Sequence, residues 1–489
     1  MSNTAAASLT PPTPAAAARP SFAWPVLVLV MTAAAAAALW MLLPSMPSQA
    51  RLALIVFLFA LVGWTVLRLP EMPVAIAAAG AMVLLHVVTP EHFYAGLGEA
   101  LIWLLVGAFI LGAVIRGSGL AERYALRAVA QAGSVRRLFH RLNLVIGLTA
   151  FIVPSTSGRA ALLLPVFLVL AGALAQPRLV RALALLFPTV ILLTACASLL
   201  GAGAHLIAVD MIGRLGLPAP SFIDWALLGL PIALATSVAA TELVLWLFLD
   251  RGERQTVPLL PAASAEPLTR SQRNVLLVTL ATIAAWATSR WHGVDPALIA
   301  LAGALAATCR QYTGMSMKEA LKGVEWSLIL FLAATLTMGE ALLDSGAAEW
   351  VASLAVDALP ATVLQQPLLL VAAVTLVAML SHLVITSRSA RAAVLIPTVA
   401  LPLAVVPSHA ALLILVVTIA SGFCQTMKVS AKPVALYARS TARGNDDTEA
   451  YSDADLMRLS LALMPAFALL LVLCVAVVWP WLGIGLAAK

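Results

Sequence analysis

The sequence predicts an all-α polytopic membrane protein with two inverted structural repeats, broken helices, re-entrant hairpins and about 11 crossings. Hydrophobic residues make up 62% of the 489 residues and charged residues only 10%, whereas soluble domains carry about 25% charged residues. These charges are too few to cover a soluble core. The bilayer must therefore solvate most of the surface.

Uncharged runs of spanning length divide the chain into two membrane halves. Residues 1–21 are rich in Ala, Pro, Ser and Thr, which predicts a disordered tail. We expect the first half at 22–249, with repeat 1 starting near residue 51, and the second half, which is repeat 2, at 274–489. The polar, proline-containing segment 250–273 is predicted to link them.

A signature of serine, arginine and proline occurs once in each half. Ser155 begins S-T-S-G-R-A-A-L-L-L-P, and Ser387 begins S-R-S-A-R-A-A-V-L-I-P, 232 residues later. A further match pairs Trp103 with Trp326, 223 residues apart. Matches in the same order at similar offsets indicate an internal duplication, and an odd number of crossings per repeat places the second copy upside down.

The two signatures interrupt apolar runs that are too long for one crossing, 142–174 and 366–404. In lipid, unwound backbone persists only where it is buried in protein or lines a cavity. The arginine-rich segments 116–141 and 250–273 both favour the cytoplasm. A simple count nevertheless puts three crossings between them, so either one candidate re-enters the membrane or one basic segment breaks the rule.

The two signatures are also the strongest candidates for a binding site. Unwinding a helix frees backbone N–H groups, which together with the helix dipole favour an anion. Hydroxyl groups add donors, and guanidinium groups are bidentate partners for carboxylate or sulfate oxygens. Because intramembrane arginine costs about 2.5–3.5 kcal/mol on insertion scales, its repetition favours function over simple helix packing. The predicted substrate-binding residues are Ser155, Thr156, Ser157, Arg159, Ser387, Arg388, Ser389 and Arg391.

Other polar residues near the signatures are secondary candidates. The predicted secondary ligands are His205, His382, Lys428, Ser430 and Lys432. Acidic residues in apolar segments support a different function, that of a cation/proton antiporter or an arsenite-type carrier. Its ion site would use Asp210, Glu340 or Asp344.

The motifs of soluble and nucleotide-dependent enzymes are absent from the sequence. There is no G-x-G-x-x-G, no phosphate loop, no H-E-x-x-H and no G-x-S-x-G. We therefore expect no enzyme activity, no cofactor and no metal, apart from sodium or a proton as coupling ion. A polytopic membrane enzyme is the alternative from another class. The net charge of +7 fits basic membrane loops, and we expect no nucleic-acid partner.

From about residue 51 to its end, the chain resembles the divalent anion:sodium symporter family, which carries di- and tricarboxylates and sulfate. Family members have two S-N-T signatures, each followed by an apolar run that ends in proline. The tripeptides at Ser155 and Ser387, with Pro165 and Pro397, have that spacing. The resemblance implies a small anionic substrate, a homodimer in a bacterial cytoplasmic (inner) membrane, and transport domains that move like elevators against a scaffold.

The chain departs from the family at the residues that help to hold sodium and substrate. The two signature asparagines are Thr156 and Arg388 here, and a later asparagine is Pro433. A guanidinium repels a cation 4 Å away by about 4 kcal/mol at an effective dielectric constant of 20. We expect transport to depend weakly or not at all on sodium.

Overall fold

The computed structural model describes residues 23–130, 132–260, 266–358, 366–404, 407–439 and 449–484. The predicted tail at 1–21 lies outside the described residues. The described part of the chain is helical, and eight of its helices are long and apolar enough to cross a membrane. The all-α membrane fold is therefore confirmed.

One helix, Ala23–Leu42, precedes two copies of the same unit. The first copy contains Ser48–Thr65, Glu71–Leu84, Ala100–Ser118, Leu120–Val129, Val135–Leu148, Thr156–Leu174, Pro177–Leu193, Gly203–Arg214 and Phe222–Phe248. The second copy contains Arg270–Ala287, Pro296–Ala307, Trp326–Asp344, Ala347–Ala358, Pro367–Leu380, Arg388–Leu395, Pro407–Ala420, Lys432–Arg439 and Asp453–Leu473. In each copy we call the first three helices the scaffold, the fifth and sixth the hairpin, and the seventh and eighth the broken helix.

The 27-residue helix Phe222–Phe248 defines the two membrane faces, since it is about 40 Å long. At its start Asp224 pairs with Arg290 at 3.0 Å. Just beyond its end Asp250 pairs with Arg178 at 3.0 Å. We call the face at Asp250 the basic face and the face at Asp224 the opposite face.

The first hairpin enters and leaves at the basic face. At its start the Val135 amide donates to the carbonyl of Thr256 at 3.0 Å. Just after its end, Arg178 makes its ion pair with Asp250. The apolar run 142–174, one of the three candidates in the simple count, is therefore part of a re-entrant hairpin. When this hairpin is not counted as a crossing, segments 116–141 and 250–273 lie on the same face. A hydrogen bond between them agrees with this, since Gln272 Nε2 donates to the Ser118 carbonyl at 3.0 Å.

The two copies are inverted relative to each other. The first-copy helix Ala100–Ser118 ends at the basic face, whereas its counterpart Trp326–Asp344 ends at the opposite face, where Glu340 lies 2.6 Å from Arg214. In the described part of the chain, seven of the eight long apolar helices lie outside the first hairpin, and shorter apolar helices such as Glu71–Leu84 and Pro296–Ala307 complete the scaffolds. The arginine-rich segments are the reason to expect the basic face on the cytoplasmic side.

The scaffolds of the two copies pack reciprocally into one core. Ala100–Ser118 packs against Pro296–Ala307, and Trp326–Asp344 packs against Glu71–Leu84. A Cβ atom at Gly107 would lie 2.7 Å from Ala300, so the backbones touch through small residues. The two hairpins and the two broken helices contact each other beside these packed scaffolds.

Candidate functional site

A cavity of about 880 Å³ lies where the hairpin tips, the broken helices and the scaffold meet. The scaffold contributes Pro70–Pro73 and Val324–Leu328, which lie where scaffold helices begin at the basic face. The cavity therefore opens toward the basic face. Six of the eight predicted substrate-binding residues line it: Ser155, Thr156, Ser157, Ser387, Arg388 and Ser389.

Each hairpin tip presents the N-terminus of a helix to this cavity. Ser155 caps Thr156–Leu174 by accepting from the Gly158 amide at 3.2 Å. Ser387 caps Arg388–Leu395 by accepting from the Ala390 amide at 3.1 Å. Serine caps satisfy one N–H group each, so the other first-turn amides and the positive end of each helix dipole are available to an anion.

Arg388 is the charged side chain at the second tip. Its Nη2 lies 3.0 Å from His205 Nε2. Its Nε and Nη1 are buried and have no hydrogen-bond partner in the described part of the chain. Because an unsatisfied buried donor is costly, these N–H groups are the natural donors for a bound anion.

Arg159 was predicted to bind substrate, but the structure places it behind the first tip, fully buried and outside the cavity lining. Its Nη1 donates to the Ile191 carbonyl at 2.8 Å, and its Nη2 donates to the Ile146 carbonyl at 2.7 Å. Its Nε donates to Thr149 Oγ1 at 2.9 Å, and Nη2 also donates to Thr194 Oγ1 at 2.7 Å. Arg159 thus ties the hairpin to the broken helix.

Arg391 lies in the matching place behind the second tip and is also fully buried. Its Nε donates to the Ser421 carbonyl at 3.0 Å, and its Nη1 donates to the Ile385 carbonyl at 2.8 Å. Carbonyl groups freed where helices end need such donors in a membrane. Arg391 therefore supports the backbone and, like Arg159, does not reach the cavity.

The secondary candidates divide into two groups. Ser430 and Lys432 line the cavity, and Lys432 has no ion-pair partner among the described residues. His382 is buried with its Nε2 2.8 Å from Thr426 Oγ1, and Lys428 pairs with Glu449 and with Asp453. His205, His382 and Lys428 do not line the cavity.

Two carboxylates of the cavity lining, Glu71 and Glu325, were missed by the sequence analysis. Each stands beside the start of a scaffold helix at the basic face. The sequence signal was present, since each is a lone acid at the edge of a long apolar run. Both carboxylates belong to the basic-face side of the cavity and not to the tips.

The acidic residues of the alternative antiporter site lie elsewhere. Arg214 binds Asp210 at 2.6 Å and Glu340 at 2.6 Å, and it lies 3.5 Å from Glu99. This cluster is at the opposite face and does not line the cavity. Asp344 is exposed and lies outside the lining as well. The structure thus brings none of these three acids to the tips.

Comparison with known proteins places this architecture among transporters. A "Membrane protein" of Cupriavidus necator is 23% identical over 404 residues, covering 80% of this chain and 76% of that protein. An uncharacterized transporter of Mycobacterium tuberculosis is 26% identical over 309 residues, covering 59% of this chain and 67% of that protein.

The fold is also similar to a solved structure. The Alcanivorax borkumensis YdaH transporter, described as having an unusual topology, matches 84% of this chain and 90% of its own with a TM-score of 0.50 and 16% identity. A family model described as citrate transporter matches residues 65–422. This match confirms that the chain resembles a transporter family over most of its length. The chain is an integral membrane protein that belongs to the citrate transporter family.

Proposed function

We propose that the protein is a secondary active transporter of a small anion of the di- or tricarboxylate or sulfate class. The observation that carries the proposal is the convergence of two helix N-termini and the unpartnered N–H groups of Arg388 on one cavity. Lys432 adds a second positive charge to the lining. Carboxylate and sulfate oxygens accept hydrogen bonds from every one of these groups. Citrate, the substrate in the description of the family model, has this chemistry.

The fixed charge of Arg388 also bears on coupling. A sodium ion about 4 Å from the guanidinium would be repelled by about 4 kcal/mol at an effective dielectric constant of 20. When the anion leaves, Arg388 has no carboxylate partner in the described part of the chain, and an unpaired charge in a membrane is costly. Exchange of one anion for another avoids moving this empty site. We therefore favour sodium-independent exchange over symport, with proton coupling as the alternative.

The assembly and membrane of the proposed transporter follow from the resemblance. We propose a homodimer in a bacterial cytoplasmic membrane, with the basic face in the cytoplasm. Hairpins and broken helices would move like an elevator against the scaffold. The cavity at the basic face would then be the cytoplasm-facing state of that cycle.

Reconstitution into proteoliposomes tests the function directly. Uptake of radiolabelled citrate, succinate and sulfate is measured with and without unlabelled anion inside, and with and without a sodium gradient. We expect internal anion to stimulate uptake of at least one of the three, and the sodium gradient to change it little. Uptake of none of them would refute anion transport, and uptake that needs sodium steeply would refute the coupling proposal.

A further inference from the structure

His205 lies behind the cavity, on the broken helix of the first copy, and contacts the arginine of the second copy. Its side chain is fully buried. Its Nδ1 lies 2.9 Å from the Ser198 carbonyl oxygen, and its Nε2 lies 3.0 Å from Arg388 Nη2. Its ring stacks on Trp225 with the ring centroids 4.7 Å apart. The imidazole is thus held on three sides before any substrate arrives.

These contacts define the protonation of the ring. A carbonyl oxygen only accepts hydrogen bonds, so Nδ1 carries the hydrogen. A guanidinium only donates, so Nε2 presents its lone pair to Arg388. A neutral imidazole in one tautomer therefore satisfies both neighbours, and an imidazolium would lose the Arg388 contact.

Gly422 forms the other wall around the guanidinium. A Cβ atom at this position would lie 2.5 Å from Arg388 Nη2 and 2.9 Å from its Cζ. The Arg388 head is therefore confined between an imidazole of the first copy and a bare backbone of the second. With Nη2 engaged in this way, Nε and Nη1 are the donors left over.

We propose that His205 is a positioning residue that sets the orientation of Arg388 toward the transported anion, with Gly422 providing the space. This inference rests on the proposed function. A flexible arginine loses rotamer freedom when it binds a ligand, whereas a preoriented one has already lost it. Removing the acceptor at His205 should weaken anion binding without slowing the movement of the loaded carrier.

The test compares radiolabelled citrate and sulfate uptake by variants in proteoliposomes. His205→Phe keeps an aromatic ring against Trp225 but removes the acceptor, and it should raise KM about tenfold with a small change in kcat. His205→Gln restores an acceptor oxygen and should bring KM to within about threefold of wild type. The matched control is His382→Gln, at a fully buried histidine that does not contact Arg388, and its KM should not change.

A double-mutant cycle separates positioning from folding. In an Arg388→Asn background, His205→Phe should have no further effect on KM, because no guanidinium is left to orient. Gly422→Ala provides an independent variant and should raise KM by displacing the guanidinium from its other side. Equal KM values for wild type and His205→Phe, or an effect that persists in the Arg388→Asn background, would overturn the positioning role. Failure of the wild type to transport any anion would instead overturn the proposed function.

Discussion

The two hairpin tips share a sequence pattern but use it differently. Arg159 and Arg391 occupy matching positions, and both are buried against carbonyl groups of their own copy. Thr156 and Arg388 also match in sequence, yet only the second tip carries a charge into the cavity. The repeated arginines, Arg159 and Arg391, stabilise the backbone of their own copies. Arg388, which replaces Thr156 in the second copy, places a positive charge at the cavity. We therefore propose that the second tip contributes more to substrate recognition than the first tip does.

The largest expected effect is a loss of stability when one of the repeated arginines, Arg159 or Arg391, is replaced. Arg159→Ala or Arg391→Ala leaves several buried carbonyl groups without donors, and we expect a loss of about 3 kcal/mol or more of stability. Thermal unfolding and size-exclusion profiles of the detergent-purified protein would measure it. Arg137→Ala, at an exposed arginine on the basic face, is the control and should behave as wild type. Stable variants with only a raised KM would make these arginines ligands after all.

The next largest expected effect is a rise in the anion KM when Arg388, the residue that differs between the tips, is replaced. Arg388→Asn removes charged hydrogen bonds worth about 1.5–3 kcal/mol, so the anion KM should rise about 10- to 100-fold. It should also make uptake responsive to sodium, because the repelling charge is gone. Thr156→Asn, the matching change in the first tip, should alter KM less than about threefold. Unchanged affinity in Arg388→Ala, together with steep sodium dependence of the wild type, would contradict this role.

A third experiment asks whether the tips share one bound anion. Cysteine is placed at Ser155 or at Ser387 in a Cys424→Ala background, because Cys424 also lines the cavity. The same transported anion should slow the reaction of both cysteines with a polar thiol reagent. Cysteine at the exposed Ser353 is the control and should react at an unchanged rate. Protection of one tip alone would refute a shared site.

The smallest expected effect compares two lysines four residues apart. Lys432 lines the cavity without an ion-pair partner among the described residues, whereas Lys428 is neutralised by Glu449 and Asp453. Lys432→Gln should raise KM about two- to threefold, since exposed charges contribute little. Lys428→Gln should leave KM unchanged. Equal effects of both changes in the uptake assay would show that long-range charge, not contact, is responsible.

The sequence located the tips but could not show which way their arginines point. Repeated serines next to arginine placed Ser155 and Ser387 correctly beside one cavity. The partners of Arg159, however, are carbonyl groups of Ile146 and Ile191, which reach it only through tertiary packing. Spacing along one helix does not show whether a neighbouring segment supplies acceptors on that side.

The number of membrane crossings could not be predicted from the sequence for a similar reason. The hairpin helix Thr156–Leu174 has a mean hydropathy of 1.9, within the range of the helices that cross the membrane. Hydropathy alone therefore counts it as a crossing. The contacts of Val135 with Thr256 and of Arg178 with Asp250 show that the hairpin returns to the face it left, and these contacts are not visible in composition.

The ion-pair cluster around Arg214 has a consequence for the resting state. It joins the helix Gly203–Arg214 to Glu340 and Glu99 of the scaffold, at the face that the cavity does not reach. In the proposed transport cycle, solute enters from that face only after Arg214 parts from Glu340 and both groups are rehydrated. Partly exposed pairs are weakened by salt, with a screening length of about 8 Å at physiological ionic strength. In that proposed cycle, the ionic strength at the opposite face should therefore shift how often an unloaded molecule opens there.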